Sequence, residues 1–172
     1  MNKQRFATMV IEREKTLYRV ARSMLRDLAD QQDAVQEAIA KAWTKQHTLR
    51  EEKYFSSWLV RILINECNNI HRKQSRFVLR DSWEDTSLGM TPLQSAEDLN
   101  AAMDTLPERL RLPIVLHYLE GFKIKDIASM LHCTQGTVKK RLSDARKSLK
   151  LEIEQDKEAW SNEAIGFGTR IF

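Results

Sequence analysis

Two stretches of this 172-residue sequence hold side chains suited to a polyanion. The first is Asn65-Glu-Cys-Asn-Asn-Ile-His-Arg-Lys-Gln-Ser-Arg76, polar and increasingly basic, with Tyr54, Phe55 and Trp58 just ahead of it. Flat rings can stack on bases while cations neutralise phosphates, which is what single-stranded nucleic acid needs. Core burial competes with this reading for Phe55 and Trp58, and for Trp58 taken alone it is favoured. The second stretch runs from Gly121 to Leu149. There Lys139, Lys140, Ser143, Arg146 and Lys147 lie off an apolar stripe of Val138, Leu142, Ala145 and Leu149. A basic helix of this kind can enter the major groove of a duplex. A plain helical hairpin with a solvated basic face is the competing reading.

Catalytic chemistry finds little support. His47, His71, His117 and His132 are scattered, and no nucleophile–base or paired-carboxylate spacing recurs. Cys67 and Cys133 fit no metal spacing and read as buried free thiols. His132-Cys133 reads as a turn residue beside one of them. The expectation is a protein that is not an enzyme and uses no cofactor or metal.

The basic side chains need helices to position them. Gly and Pro number only 5 and 3, which favours helix throughout. Residues 4–28 read as one helix, with Phe6, Val10, Leu17, Ala21, Met24 and Leu28 on one face, widened by Met9, Val20 and Leu25. Asp27 to Asp30 breaks the pattern. A second helix is expected from about Gln32 to Gln46, with Val35, Ala38, Ile39 and Ala42 inward and Asp33, Gln36, Glu37 and Lys41 outward. That polar stripe suits water or a protein partner, with water favoured. A third helix spans about Phe55 to Ser75, its apolar side built by Phe55, Trp58, Leu59, Ile62 and Leu63.

Residues 78–98 hold Asp81, Glu84, Asp85, Gly89 and Pro92 with little periodicity, and read as a linker. Trp83 within it has no assigned role. A short helix is expected from Ala96 to Thr105. Leu106-Pro107 fits a further helix start, with Pro113 kinking or tightening that helix. Gly121 falls where a left-handed C-terminal cap wants glycine. Ile124, Ile127, Ala128 and Leu131 then form the stripe of the first helix of a helix-turn-helix. Thr134 is placed to cap the second. Small Ala128 permits a close crossing.

Charge follows the same division. Residues 1–77 carry a net +6, residues 78–105 −5, residues 106–150 +6 and residues 151–172 −3. Two basic blocks around an acidic segment imply two nucleic-acid-facing modules and a linker that is not one. No run of 18 apolar residues occurs, so no membrane insertion is expected. The N-terminus has no signal-peptide pattern, which places the protein in the cytoplasm. The tail ends with Trp160, Ile165, Phe167 and Phe172, more apolar than a free tail should be.

Over residues 5 to 150 the chain resembles the sigma-70 family of bacterial RNA polymerase initiation factors, in its compact extracytoplasmic-function branch. Asp33-Ala-Val-Gln-Glu-Ala-Ile-Ala-Lys-Ala-Trp43 resembles the helix that binds the polymerase clamp coiled coil. Phe55-Ser-Ser-Trp-Leu-Val-Arg-Ile-Leu-Ile-Asn65 resembles the promoter-melting helix. Leu106-Pro-Glu-Arg-Leu-Arg, followed by Gly-Thr-Val-Lys-Lys-Arg-Leu-Ser-Asp-Ala-Arg146, resembles the domain that reads the −35 element.

The resemblance implies an all-α chain: domain 2 over 1–77, a flexible acidic linker over 78–98, domain 4 over 99–150, and a tail over 151–172 with no counterpart. It implies core RNA polymerase as partner through Asp33, Gln36 and Glu37. It places Trp58, Arg61, Asn65, Arg72, Lys73 and Arg76 at single-stranded −10 DNA, with Asn65 helping to hold a flipped base. Thr137, Lys139, Lys140, Arg141, Ser143, Asp144, Arg146 and Lys147 fall at duplex −35 DNA. Of these, Lys139, Lys140, Ser143 and Asp144 would face the groove, and Arg141, Arg146 and Lys147 the backbone.

Two departures from the family pattern matter. Lys123 replaces a small hydroxyl residue at the first helix of the motif and weakens that cap. Asp144 can accept from a cytosine amino group or pair with Lys140 at i−4, the pairing being the expected outcome. An anti-sigma factor is also implied, with Trp83 or residues 158–172 as candidate contacts. A stand-alone helix-turn-helix regulator is the alternative function.

Overall fold

A computed structural model of the chain describes residues 2–76 and 103–150, plus the backbone alone at Phe77 and Val78. Among the described residues every regular element is helical. The linker reading of 79–98, Trp83, the first part of the 96–105 helix and the tail lie outside them.

The expected helix over 4–28 is two helices, α1 (Lys3–Ile11) and α2 (Glu14–Met24). Arg13 leaves helical geometry at φ −107° and ψ 2°, and its N–H bonds to Val10 O at 3.0 Å, tightening the last turn of α1. The break re-aims the chain. Phe6 and Met9 of α1 are buried, with the Phe6 ring centroid 5.2 Å from that of Trp43 and 5.8 Å from that of Phe55. α2 then buries Leu17, Val20, Ala21 and Met24 along its own stripe.

α3 (Leu28–Lys45) begins a turn earlier than expected, because Asp27 Oδ1 accepts from the N–H of Asp30 at 3.1 Å. The turn before it resets the helical phase. Leu28 therefore points to solvent, 64% exposed, instead of completing the face of the preceding helix. Val35, Ala38 and Ala42 are buried and Ile39 packs against them, as their spacing requires.

A 3-10 turn at Glu52–Tyr54 leads into α4 (Phe55–Val78), the longest helix among the described residues and the centre of the N-terminal half. Its inner stripe is Phe55, Leu59, Val60, Leu63, Ile64 and Cys67, each at most 2% exposed. Fully burying a side chain of this size contributes roughly 1.5–3 kcal/mol.

In the C-terminal half, Pro107 precedes α5 (Glu108–Ile114). Pro113 stays inside that helix, which widens into a π turn over Val115–Leu119 rather than ending. A proline ring lacks the N–H that would close the i−4 bond, and wide turns of this kind relieve such a defect. Gly121 follows with φ +71°, the left-handed cap that its position predicted. The motif proper is α6 (Ile124–Met130) and α7, residues 135–150.

Candidate nucleic-acid interface

The C-terminal site is built by local bonds. Lys123 makes no side-chain cap for α6, as its chemistry implied. The turn is closed by His132 at φ 50° and by the Cys133 N–H on Ala128 O at 3.0 Å. Thr134 Oγ1 accepts the Thr137 N–H at 3.1 Å and lies 2.9 Å from Thr137 Oγ1, so both threonines hold the first turn of α7. Val138, Leu142 and Ala145 are buried against Ile127, Ala128 and Met130 in one core.

Lys139, Lys140, Arg146 and Lys147 are then driven outward and are exposed, while Ser143 and Asp144 are half-buried. The expected Lys140–Asp144 pair does not form. With the cation N-terminal to the carboxylate the i,i+4 arrangement is the poorer orientation. Arg141 is half-buried. It lines a cavity of about 390 Å³ between the halves, with Asn68, Glu108 and His132.

The N-terminal site is built by contacts across the chain. Trp58, Arg61, Asn65 and Arg72 recur on one side of α4 at helical spacing. Arg61, Asn65 and Arg72 are exposed, as are Lys73 and Arg76. Trp58 is half-buried: its ring centroid lies 5.9 Å from that of Phe55, and its Nε1 donates to Thr48 Oγ1 at 3.2 Å. Phe55 itself is core, so of the aromatic pair only Trp58 retains a free face. Arg72 donates to Asn69 Oδ1.

One side of α4 is fixed by Glu66, which is 8% exposed and accepts Lys41 Nζ at 2.6 Å and Asn69 Nδ2 at 3.1 Å. Lys41, expected on the outward stripe of α3, thus turns in toward α4. Its hydrogen bond to Glu66 holds its pKa above the ordinary lysine range. Asp33, Gln36 and Glu37 remain exposed on α3, with Glu37 Oε1 3.2 Å from Lys41 Nζ.

Arg61, Arg72, Lys73 and Arg76 on α4, and Lys139, Lys140, Arg141, Arg146 and Lys147 on α7, make no ion pair with any described residue. Their charge is available to phosphates, whose neutralisation releases counterions. Of the two thiols, Cys67 is buried and Cys133 is half-buried, so the expectation of two buried thiols holds for Cys67 alone. Burial pushes the Cys67 pKa up to about 12, leaving it a protonated apolar side chain.

Sequence reasoning missed Arg111, which is 8% exposed. One signal could have found it: a lone cation inside the apolar run Leu110-Arg-Leu-Pro-Ile-Val-Leu116.

Comparison with known proteins gives a consistent result. Residues 9–77 match the family model Sigma-70 region 2, and residues 96–149 match Sigma-70, region 4. RNA polymerase sigma factor SigV of Bacillus subtilis is 30% identical over 151 residues, covering 87% of this chain and 91% of that protein. The ECF RNA polymerase sigma-E factor of Haemophilus influenzae is 33% identical over 139 residues, 71% of this chain and 74% of that protein. The sigma factor RpoE of Bartonella quintana, solved with the anti-sigma factor NepR, superposes with a TM-score of 0.76 at 29% identity, covering 88% of this chain and 98% of that one.

Proposed function

Because the chain belongs to the sigma-70 family of RNA polymerase sigma factors, in its extracytoplasmic-function branch, we propose a residue-level division of labour within it. The protein is a transcription initiation factor that binds core RNA polymerase and promoter DNA. In the proposed division, residues 1–77 act as domain 2, 78–98 as linker, 99–150 as domain 4 and 151–172 as a tail.

On α3, Asp33, Gln36 and Glu37 form the polymerase contact, an exposed acidic and amide face. On α4, Trp58, Arg61 and Asn65 meet the opened −10 strand. Asn65 offers donor and acceptor to a flipped base, and Trp58 offers a ring face, together offsetting the few kcal/mol that unstacking costs. Arg72, Lys73 and Arg76 follow the phosphates. On α7, Lys139, Lys140, Ser143 and Asp144 face the −35 groove, with Arg146 and Lys147 on the backbone and Thr137 holding the cap.

The observation that carries this reading is the set of cations on two separate helices that pair with no carboxylate among the described residues, one set beside an exposed amide and a half-buried tryptophan. A stand-alone duplex-binding regulator would need only α6 and α7. It would give Asn65 and its neighbours on α4 no task. The protein acts without catalytic chemistry of its own. It works in the cytoplasm, where polymerase is, and among the described residues no helix is long and apolar enough to cross a membrane. By analogy with the NepR complex, an anti-sigma factor restrains it.

Run-off transcription with purified core polymerase on a genomic library tests the assignment. Asn65→Ala is expected to lower open-complex formation at least tenfold while polymerase binding changes less than twofold. Equal losses in both would remove Asn65 from base capture.

A further inference from the structure

We propose that Glu66 and Asn69 are positioning residues for Arg72: a relay of hydrogen bonds from Lys41 through the Glu66 carboxylate to the Asn69 amide aims the Arg72 guanidinium at a backbone phosphate of the opened −10 strand. The relay stands on its own geometry. Its use at a phosphate rests on the role given to Arg72 above.

Four cations of α4 are exposed: Arg61, Arg72, Lys73 and Arg76. Of these, Arg72 alone makes side-chain hydrogen bonds to described residues. Its Nη2 donates to Asn69 Oδ1, and its Nε donates to Asn68 O at 3.4 Å. A guanidinium holds five N–H donors in one planar fork. Two of them are turned back onto the helix, so the plane of the fork is set and three donors remain. Arg61, Lys73 and Arg76 must give up side-chain freedom when they meet a phosphate. Arg72 has already given up much of it, and a pre-set donor loses less on binding.

The orientation of Asn69 is decided at its other end. An amide can turn either its oxygen or its NH2 toward a neighbour, and only the oxygen serves a guanidinium. Asn69 Nδ2 donates to Glu66 Oε2 at 3.1 Å. A carboxylate has no hydrogen to give, so the NH2 must face it. Asn69 Oδ1 is therefore left for Arg72. The same Glu66 oxygen receives Lys41 Nζ at 2.6 Å, and Glu66 is only 8% exposed. The ammonium supplies the counter-charge that a nearly buried carboxylate needs. A charged pair at the head of such a relay also polarises the bonds that follow it. Glu66, Asn69 and Arg72 are three residues apart in turn, and pass from buried through half-buried to exposed. The relay thus carries order from the core side of α4 to its surface.

The placement fits the strand-opening side of α4. Asn65, Asn69 and Arg72 follow one another at spacings of four and three, so they share one side of the helix. Arg72 stands roughly 10 Å beyond Asn65 along the axis, at about 1.5 Å per residue. A strand whose base is held at Asn65 then runs toward a cationic fork of fixed plane. Phosphate contacts set register on a nucleic acid. A planar fork can meet two phosphate oxygens at once, which a lysine cannot. The competing reading is that Asn69 only helps to neutralise Glu66 and that Arg72 rests on it by chance. In that case removing Asn69 would harm the fold and leave the work of Arg72 unchanged.

Two measurements on the full chain separate these readings. The first is nitrogen-15 relaxation of the arginine side chains in the free protein. The Nε–H of Arg72 is expected to be more rigid than those of Arg61 and Arg76. Asn69→Leu should free it. Glu66→Gln should free it in part, since a second amide lets Asn69 turn over, and it gives the same reading should Asn69→Leu fail to fold. The second is binding of the holoenzyme to the single-stranded −10 segment of a promoter recovered by run-off transcription, over a range of salt. Asn69→Leu should weaken binding about three- to tenfold and leave the salt slope unchanged, because no charge is lost. Arg72→Leu should weaken it at least as much and lower the slope by about 0.7, the share of one phosphate on a single strand. In the Arg72→Leu background Asn69→Leu should add less than twofold, which damage to the fold alone would not produce. A wild-type Arg72 as mobile as Arg61, or an equal loss from Asn69→Leu with and without Arg72, would overturn the positioning. Arg72→Leu without loss would instead overturn the phosphate role given to Arg72, while the relaxation data would still decide the relay.

Discussion

The helix proposed to read duplex DNA, α7, and the helix proposed to meet the opened strand, α4, are held in different ways. α7 is set by bonds that reach only a few residues: Thr134 to Thr137, Cys133 to Ala128, and a left-handed His132 between. α4 is set by partners far along the chain: Glu66 to Lys41, Trp58 to Thr48, Gln74 to Asp30 and His71 to Met24. A motif closed by local bonds can present its cations wherever it is placed. A helix braced from three sides holds an amide such as Asn65 at a fixed position, which base capture demands and phosphate contact does not.

The largest expected effect removes one of the long braces. Lys41→Met leaves Glu66 nearly buried with only the Asn69 amide as a hydrogen-bond donor and no counter-charge. The loss of an ionised partner from such a group costs about 2 kcal/mol, reduced from the fully buried case because solvent reaches the outer side of Lys41. Urea unfolding should show it, and strand opening should fall with it while −35 duplex binding stays within twofold. The double variant Lys41→Met/Glu66→Leu should recover most of the stability, because no unpaired charge then remains. If the single variant harms duplex binding as much as opening, the two helices are not independently braced.

A smaller effect is expected from the local bonds. Thr134→Ala removes the side-chain acceptor of the Thr137 N–H and should cost about 1 kcal/mol. It should weaken duplex binding and leave opening of a pre-melted template unchanged. Thr134→Ser should restore both, since the hydroxyl is what caps. Equal loss with serine would mean that the methyl, not the cap, matters.

This contrast also explains which features were legible in the sequence. Thr134, Gly121 and the stripe of Val138, Leu142 and Ala145 act over three or four residues, so their spacing was enough to read them. The break between α1 and α2 was not, because Glu12 and Arg13 are ordinary helix formers; the turn goes with the packing of Phe6 against Trp43 and Phe55, far along the chain. Lys41 looked like surface because its partner stands 25 residues away. Arg111 reaches a carbonyl 88 residues distant, and Arg19 a carboxylate 101 residues distant. Among the candidate site residues, outward placement was legible for Arg61, Asn65, Lys139 and Lys140. The half-buried place of Arg141 beside the cavity was not, because it depends on where the two halves meet.

The two thiols give the finest test of the contrast, one in each region. Cys67 lies on the inner face of α4, fully buried, and Cys133 lies half-open in the turn before α7. A thiol reagent at pH 8 should modify Cys133 and spare Cys67 until the protein is unfolded. Burial raises the Cys67 pKa from 9.0 to about 12, so above pH 9 the unfolded chain loses a proton that the folded chain keeps. The unfolded state then binds fewer protons, and stability falls as pH rises through that window. At pH 9.5 this contribution is about 0.8 kcal/mol, against nothing near pH 7. Cys67→Ala, compared with the parent by urea unfolding at both pH values, should show a correspondingly shallower decline. An equal decline in both would mean that the thiol ionises as readily in the fold as outside it, and that the core beneath α4 is open to water.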